Sequence, residues 1–474
     1  MKLFGTPIFY ITICLSLVGC KNITNTNSHI YFGGEIINPK NDYVIFYDSN
    51  SNVDTIKLDQ NNRFLKRYDS LTPGLHSFVH GGEYQMVLLE PNDSVMLRLN
   101  TMDFDESLVF TGIGAKKNNY LIETFIEDEI ENKRLNEFCQ MPPEKLMSYL
   151  DSVRNFRLNR LNDFINRGEF SELFINIAKA NINYTNYYYK EIYPFGYYGN
   201  NKLVHFKDLP EGYYNFRDEV DYNLDYMSNF HSYNRFLFSH FNNLALKSYY
   251  GNAKHHKSFN RHDLNYNLEK LNLIDSLIDN HHIKNHLLKN IAKDFIYNSK
   301  NNKETEAILQ SYLSKSTNNN DKKSISKLVA VLDNLQPNKT LPNIAVVSFN
   351  DTIYNLHNLI NEPTVLFFWS SNFKMNFRNS HYKVKKLKTE YPNVNFIAIN
   401  INDDDKRYWR TTLQKFKYPT EYEFRFKDNK QAIDTLAINY VNKAFVIAPD
   451  KRIISSNTSL FSHELEDVLR KYFK

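Results

Sequence analysis

The chain of 474 residues carries 58 Lys and Arg against 53 Asp and Glu, a net charge of +5, with 42% hydrophobic and 15% aromatic residues. This composition excludes a disordered or membrane-spanning chain, and at this length roughly three domains are expected. The mild basic excess is spread along the chain with no basic helix, zinc-finger spacing or aromatic RNA motif, so nucleic-acid binding is not expected.

The first twenty residues, "MKLFGTPIFYITICLSLVGC", have a basic start at Lys2 and an apolar stretch from Ile8 to Val18 that ends in Leu17-Val18-Gly19-Cys20. The apolar run is shorter than the roughly 20 residues needed to span a bilayer. Its ending resembles the lipobox of bacterial lipoproteins. The resemblance implies cleavage before Cys20, a diacylglycerol on its thiol and a further acyl chain such as palmitate on the new amino terminus. Several chains on one residue anchor stably where one binds reversibly. The expectation is a signal over 1–19 and a polar tether over 20–28, "CKNITNTNS". Lys21 stands where an aspartate would resemble an inner-membrane retention signal, and the tether lacks the acidic residues that resemble surface-export signals. An outer-membrane anchor facing the periplasm is therefore favoured.

Of the three cysteines, Cys14 would leave with the signal and Cys20 would carry lipid, which leaves Cys139. One thiol cannot close an intramolecular disulfide, although the compartment would permit one.

Residues 29–115 read as short strands rich in β-branched and aromatic residues, among them "HIYFGGEIIN", "DYVIFYDS", "YQMVLLE" and "SVMLRLN", punctuated by Asn-Pro, Thr-Pro-Gly and Gly-Gly. That spacing predicts an antiparallel β-sandwich or barrel. "EPNDSVMLRLN" followed by "FTGIGAKKNNYL" resembles the β-rich domain that often precedes thioredoxin-like domains in Bacteroidetes-type lipoproteins. "PND" stands where that family usually reads Pro-Gly-Asp.

Residues 116–335 have helical periodicity. "PEKLMSYLDSVRNFRLNRLNDFI" sets Leu146, Leu150, Val153, Phe156, Leu161 and Ile165 near one face. "YYYKEIYPFGYYGNN" reads as a tyrosine-dense interruption that packs at a domain contact, and "STNNNDKKS" (316–324) as a solvated loop.

Residues 336–474 alternate strands and helices: "TVLFFWS", a helix through "VKKLKTEY", "VNFIAINI", a helix around "DDKRYWRTTLQKF", "EYEFRF", "KQAIDTLAINY", "AFVIAP", "RIISSN" and "HELEDVLRKYF". This order predicts a mainly parallel sheet covered on both faces, with an antiparallel last pair. It resembles the envelope thioredoxin-like domains of the TlpA/ResA type. Phe368 and Trp369 match that family's strand end, while Phe373 and Asn376 fall on its two Cys-x-x-Cys positions. The family's cis-proline slot falls at Asn442 or Lys443.

The resemblance implies a thiol-disulfide oxidoreductase, yet neither position has sulfur to attack a disulfide or resolve a mixed one. Cys139, in "NEFCQMPPE", is expected to be a buried structural thiol, with intermolecular pairing left open. The histidines His255, His256, His282 and His286 and the acidic run "INDDDKR" lack the further ligands of a metal motif, and no cofactor is expected.

The combined expectation is a multidomain α+β protein: an N-terminal β-sandwich, a helical middle and a C-terminal thioredoxin-like fold without dithiol chemistry. Trp369, Ser370, Ser371, Asn372, Phe373, Lys374 and Met375, opposite Asn442 and Lys443, form the candidate surface for a peptide or envelope protein, the alternative being that Phe373 and Trp369 fill core space. An oxidoreductase and a purely structural or assembly lipoprotein are the alternatives.

Overall fold

A computed structural model describes residues 29–49, 52–196, 209–251, 259–370, 374–402 and 406–473. Cys20, Ser371, Asn372, Phe373, His255, His256 and Asp403 to Asp405 lie outside them. The chain divides into two compact units, Met1–Arg134 with Phe156–Asn181, and Leu135–Asn155 with Ile182–Lys474.

The first unit contains eight strands, each where the sequence places one: β1 (Ile30–Ile37), β2 (Tyr43–Tyr47), β3 (Val53–Lys57), β4 (Arg63–Tyr68), β5 (Gly74–His80), β6 (Glu83–Leu89), β7 (Ser94–Asn100) and β8 (Val109–Ile113). They form two four-stranded sheets, ordered β4-β1-β7-β8 and β3-β2-β5-β6. Alternation decides which side chains go inward, so Val44 and Phe46 on β2 join Phe32, Phe64, Phe78 and Leu97 in one core. The expected all-antiparallel pairing is corrected at β1 and β7, which run parallel. A period of two fixes the faces of a strand and not its direction relative to a neighbour distant in sequence.

The segment "GAKKNNYL" opens α1 (Ala115–Lys133) and docks it onto the strands. Asn118 exchanges two hydrogen bonds with the backbone of Leu88, at 2.7 and 2.9 Å, and Asn119 does the same with Phe110 at 2.8 Å. Lys117, buried, reaches Glu90 at 2.6 Å and Asp93 at 2.7 Å. Gly114 sits at φ 91°, where a Cβ would come within 2.5 Å of Asp93. Asn92, at the position usually glycine in the resembling family, adopts φ 69°, a conformation that asparagine tolerates better than other side chains.

Helices α2 (Leu135–Phe138), α3 (Pro143–Ile165), α4 (Glu172–Gly196), α5 (His231–Gly251), α6 (Leu264–Leu277), α7 (His281–Asn298), α8 (Asn302–Lys315) and α9 (Asn319–Asn334) follow. Three sequence expectations change here. Phe156 is 66% exposed, and Arg157 takes its place on the buried face of α3 beside Leu161, paired with Asp128 and Glu131. The tyrosine-dense stretch begins as the last turns of α4, with Tyr187, Tyr189 and Tyr193 buried. Tyr187 donates to Glu219 and Tyr193 to the Met141 carbonyl, each at 2.6 Å, which satisfies these two phenols without breaking the helix. Residues 319–324 belong to α9 and not to a loop, because Asn318 accepts hydrogen bonds from the Asn320 and Asp321 amides and caps the helix start.

Cys139 is buried, and burial pushes its thiol up to about 11. His282 approaches Asn229 at 3.2 Å and His286 approaches Asn290 at 3.3 Å. Among the described residues no group of three or more His, Cys, Asp or Glu side chains is arranged to hold a metal ion, and no helix is long and apolar enough to cross a membrane.

The C-terminal region contains β9 (Ala345–Ser348), β10 (Ile353–Asn355), α10 (Leu356–Leu359), β11 (Thr364–Trp369), α11 (Lys374–Glu390), β12 (Asn395–Asn400), α12 (Lys406–Lys415), β13 (Glu423–Phe426), α13 (Asn429–Thr435), β14 (Lys443–Ile447), β15 (Ile453–Ser459) and α14 (His463–Phe473). The sheet order is β10-β9-β13-β12-β11-β14-β15. Among the described residues, β11–β12 and β12–β13 are the only neighbouring pairs of this sheet that run parallel. The expected mainly parallel sheet is corrected accordingly: α11 and α12 return the chain for parallel strands, whereas β14 enters antiparallel to β11 and β9 antiparallel to β13. Successive residues of β11 feed opposite cores. Leu366 and Phe368 pack with Phe424, Phe445 and Leu436, while Val365, Phe367 and Trp369 pack with α11, α12 and α14 through Phe377, Leu413 and Leu465. Both faces are covered, which accounts for a strand without alternation in its sequence.

Candidate functional site

The corner at the end of β11 and the start of α11 separates the expected surface residues by depth. Trp369 is fully buried, and Ser370 and Lys443 are 3% and 1% exposed. These three lie beneath the surface they were expected to form, because β11 and β14 are central strands covered on both sides. Met375 is 67% exposed and Asn442 is half-buried. Lys374 begins α11, and its side chain lies outside the described part.

Asn376 and Asn442 are brought together. The Asn376 amide donates to the Asn442 side-chain oxygen at 2.7 Å, and the Ser370 backbone N–H donates to the Asn376 oxygen at 3.1 Å. The Leu460 N–H donates to the Asn442 carbonyl at 2.8 Å. The Asn376 side-chain amide therefore ties helix, strand end and opposing segment together. None of these groups can take up or release an electron pair as a dithiol does.

Lys443 extends from Asn442 into the interior, where its ammonium donates to the carbonyls of Leu436 at 3.1 Å and Ala437 at 2.8 Å. Burial pushes its pKa down to about 7.

Two residues that carried no functional expectation organise the other side of the corner. Glu423, at the start of β13 and 4% exposed, accepts from Trp369 Nε1 at 3.0 Å and lies 2.7 Å from His381 Nε2. His381 Nδ1 is 2.6 Å from the Phe377 carbonyl, which can only accept, so that nitrogen carries a proton. The ring is stacked flat on Tyr418, with centroids 4.0 Å apart and planes at 3°. A carboxylate at an inward position of an apolar strand was the available sequence signal, together with a histidine four residues after Phe377.

Residues 361–453 match the Thioredoxin-like family. No curated protein sequence matches the chain. Among solved structures, the thioredoxin domain of a thiol-disulfide oxidoreductase from Bacteroides vulgatus is similar at 12% identity, over 30% of this chain and 99% of its own, with a TM-score of 0.26. A thiol:disulfide interchange protein from Bacteroides sp. is similar at 12% identity, over 29% and 91%, with a TM-score of 0.26. A thioredoxin-like protein from Bacteroides caccae is similar at 13% identity, over 44% and 78%, with a TM-score of 0.32. The C-terminal region of this chain is a thioredoxin-like domain, in which no cysteine occurs.

Proposed function

We propose that the chain is a lipid-anchored envelope protein whose thioredoxin-like domain exchanges no disulfides and instead recognises a peptide or protein partner beside Met375. The carrying observation is the hydrogen bond between Asn376 and Asn442, which occupies the corner with an amide contact where the resembling family keeps its sulfur. The one cysteine left after processing, Cys139, is buried with its thiol pushed up to about 11, which disfavours the thiolate that such chemistry needs. The lipobox-like ending at Cys20 supports the anchor, and the eight-stranded first unit reads as a sandwich-like module next to it.

Two experiments test this reading. Palmitate labelling in the producing cell is expected for the native chain and absent from Cys20→Ala; equal labelling of both overturns the anchor. A photo-cross-linking residue at Met375 is expected to give a discrete adduct in the intact envelope that the same residue at Tyr472, also exposed, does not give. Adducts at both positions, or at neither, overturn the recognition surface.

A further inference from the structure

A cleft of about 1030 Å³ opens between α11 and the segment 416–423 of the C-terminal domain. The sheet forms its floor: Phe367 on β11 and Phe396 and Ala398 on β12, which are 2%, 1% and 3% exposed. Its inner wall is the stacked His381 and Tyr418, held by Glu423. Glu423 is the only carboxylate among the lining residues, and its two oxygens are taken by Trp369 and His381.

The mouth has the opposite character. Arg378, Lys385, Lys388 and Lys417 line it, all exposed, and among the described residues none of the four belongs to an ion pair. On the same helix Lys383, outside the cleft, is neutralised by Glu466. The Arg378 guanidinium lies 5.9 Å from the centre of the Phe416 ring and the Lys388 ammonium 5.3 Å from that of Tyr422, which places two of the cations against aromatic rings at the rim. The volume lies at the upper end of small-molecule sites, which combine an apolar lining with a few placed polar groups. Four cations of one sign at the mouth favour an anionic group, and an ion without an apolar body would leave the aromatic lining unused.

We propose that this cleft binds a small amphipathic anion. Its aromatic or aliphatic body would lie against Met375, Phe416, Tyr418 and Tyr422, above the covered sheet residues, and its carboxylate, sulfonate or phosphate would face Arg378, Lys385, Lys388 and Lys417. The site does not depend on whether the domain exchanges disulfides. Met375 also lines the cleft, so an occupant would extend to the corner beside Asn376.

The test is fluorescence titration of the full chain with 8-anilinonaphthalene-1-sulfonate and its uncharged relative N-phenyl-1-naphthylamine, with near-ultraviolet circular dichroism as a check on folding. Saturable binding of one sulfonate per chain is expected, at least about tenfold tighter than the amine, and weakened at least about tenfold in the double variant Arg378→Glu/Lys388→Glu. If that variant does not fold, Lys385→Glu/Lys417→Glu makes the same test from the other residues of the rim. The proposal is overturned by no saturable binding, by an amine that binds as tightly as the sulfonate, or by a folded charge-reversed variant with unchanged affinity.

Discussion

Asn376 on α11 donates to Asn442 ahead of β14 at 2.7 Å, joining the first turn of the helix to the segment that leads into the opposing strand. Each residue is held by a further backbone contact, Asn376 by Ser370 and Asn442 by Leu460. Asn376→Ala and Asn442→Ala are each expected to cost about 1 kcal/mol. The double variant should cost less than their sum, since the shared bond can be lost only once. Chemical unfolding of the four proteins measures this, and strict additivity would show that the contact carries no energy.

Glu423 satisfies Trp369 and His381 together, so its removal should cost more than one hydrogen bond. Glu423→Ala is expected to destabilise by about 3 kcal/mol, because a buried indole N–H loses its acceptor and the half-buried His381 loses the carboxylate beside its Nε2. Glu423→Gln keeps an acceptor for Trp369 and should cost about 1 kcal/mol. Tryptophan fluorescence reports both transitions, since the chain's two tryptophans, Trp369 and Trp409, are buried in this domain. Equal stability of the two variants would remove the network from the account.

Lys443 predicts a pH dependence of definite sign. Its pKa falls from 10.5 to about 7 on folding, so between those values the unfolded chain binds a proton that the folded chain does not. Unfolding free energy therefore rises with pH across this window, and the penalty is fully present below about pH 7. Lys443→Met removes the ammonium but leaves the Leu436 and Ala437 carbonyls without their donor. Relative to the native chain, the variant should be more favourable at pH 6.5 than at pH 9.5. Parallel pH profiles for the two proteins would contradict a depressed lysine.

In the first unit, Lys117 is the buried cation that holds Glu90 and Asp93. Lys117→Met should destabilise by about 3 kcal/mol or more, because it leaves carboxylates desolvated without their partner. Asn92→Gly should instead be neutral or slightly stabilising, since φ 69° carries no steric penalty for glycine. A stabilising Lys117→Met would mean that the charges cost more than their pairing returns.

The elements most legible in the sequence are those whose period matches their burial. All eight strands of the first unit and the order "TVLFFWS", "VNFIAINI", "EYEFRF", "AFVIAP", "RIISSN" are found as strands. Strand direction was not legible, because β1 and β7 pair across a long stretch of chain and alternation is silent about polarity. Helical periodicity set the wrong residue inward at Phe156, since an arginine neutralised by Asp128 and Glu131 can take an apolar position. At the site, the sequence showed that positions 373 and 376 lack sulfur and left Trp369 open between surface and core, but it gave no sign that Lys443 is buried. It also passed over His381 and Glu423, whose pairing depends on the register of β13 against β12 and on the turn of α11 that faces it.

The most direct test of the central claim is reduction of insulin disulfides by dithiothreitol in the presence of the purified chain and of its Cys139→Ser variant. The account predicts that both leave the reaction at its uncatalysed rate. Turnover by the variant, whose thioredoxin-like domain contains no cysteine, would contradict it.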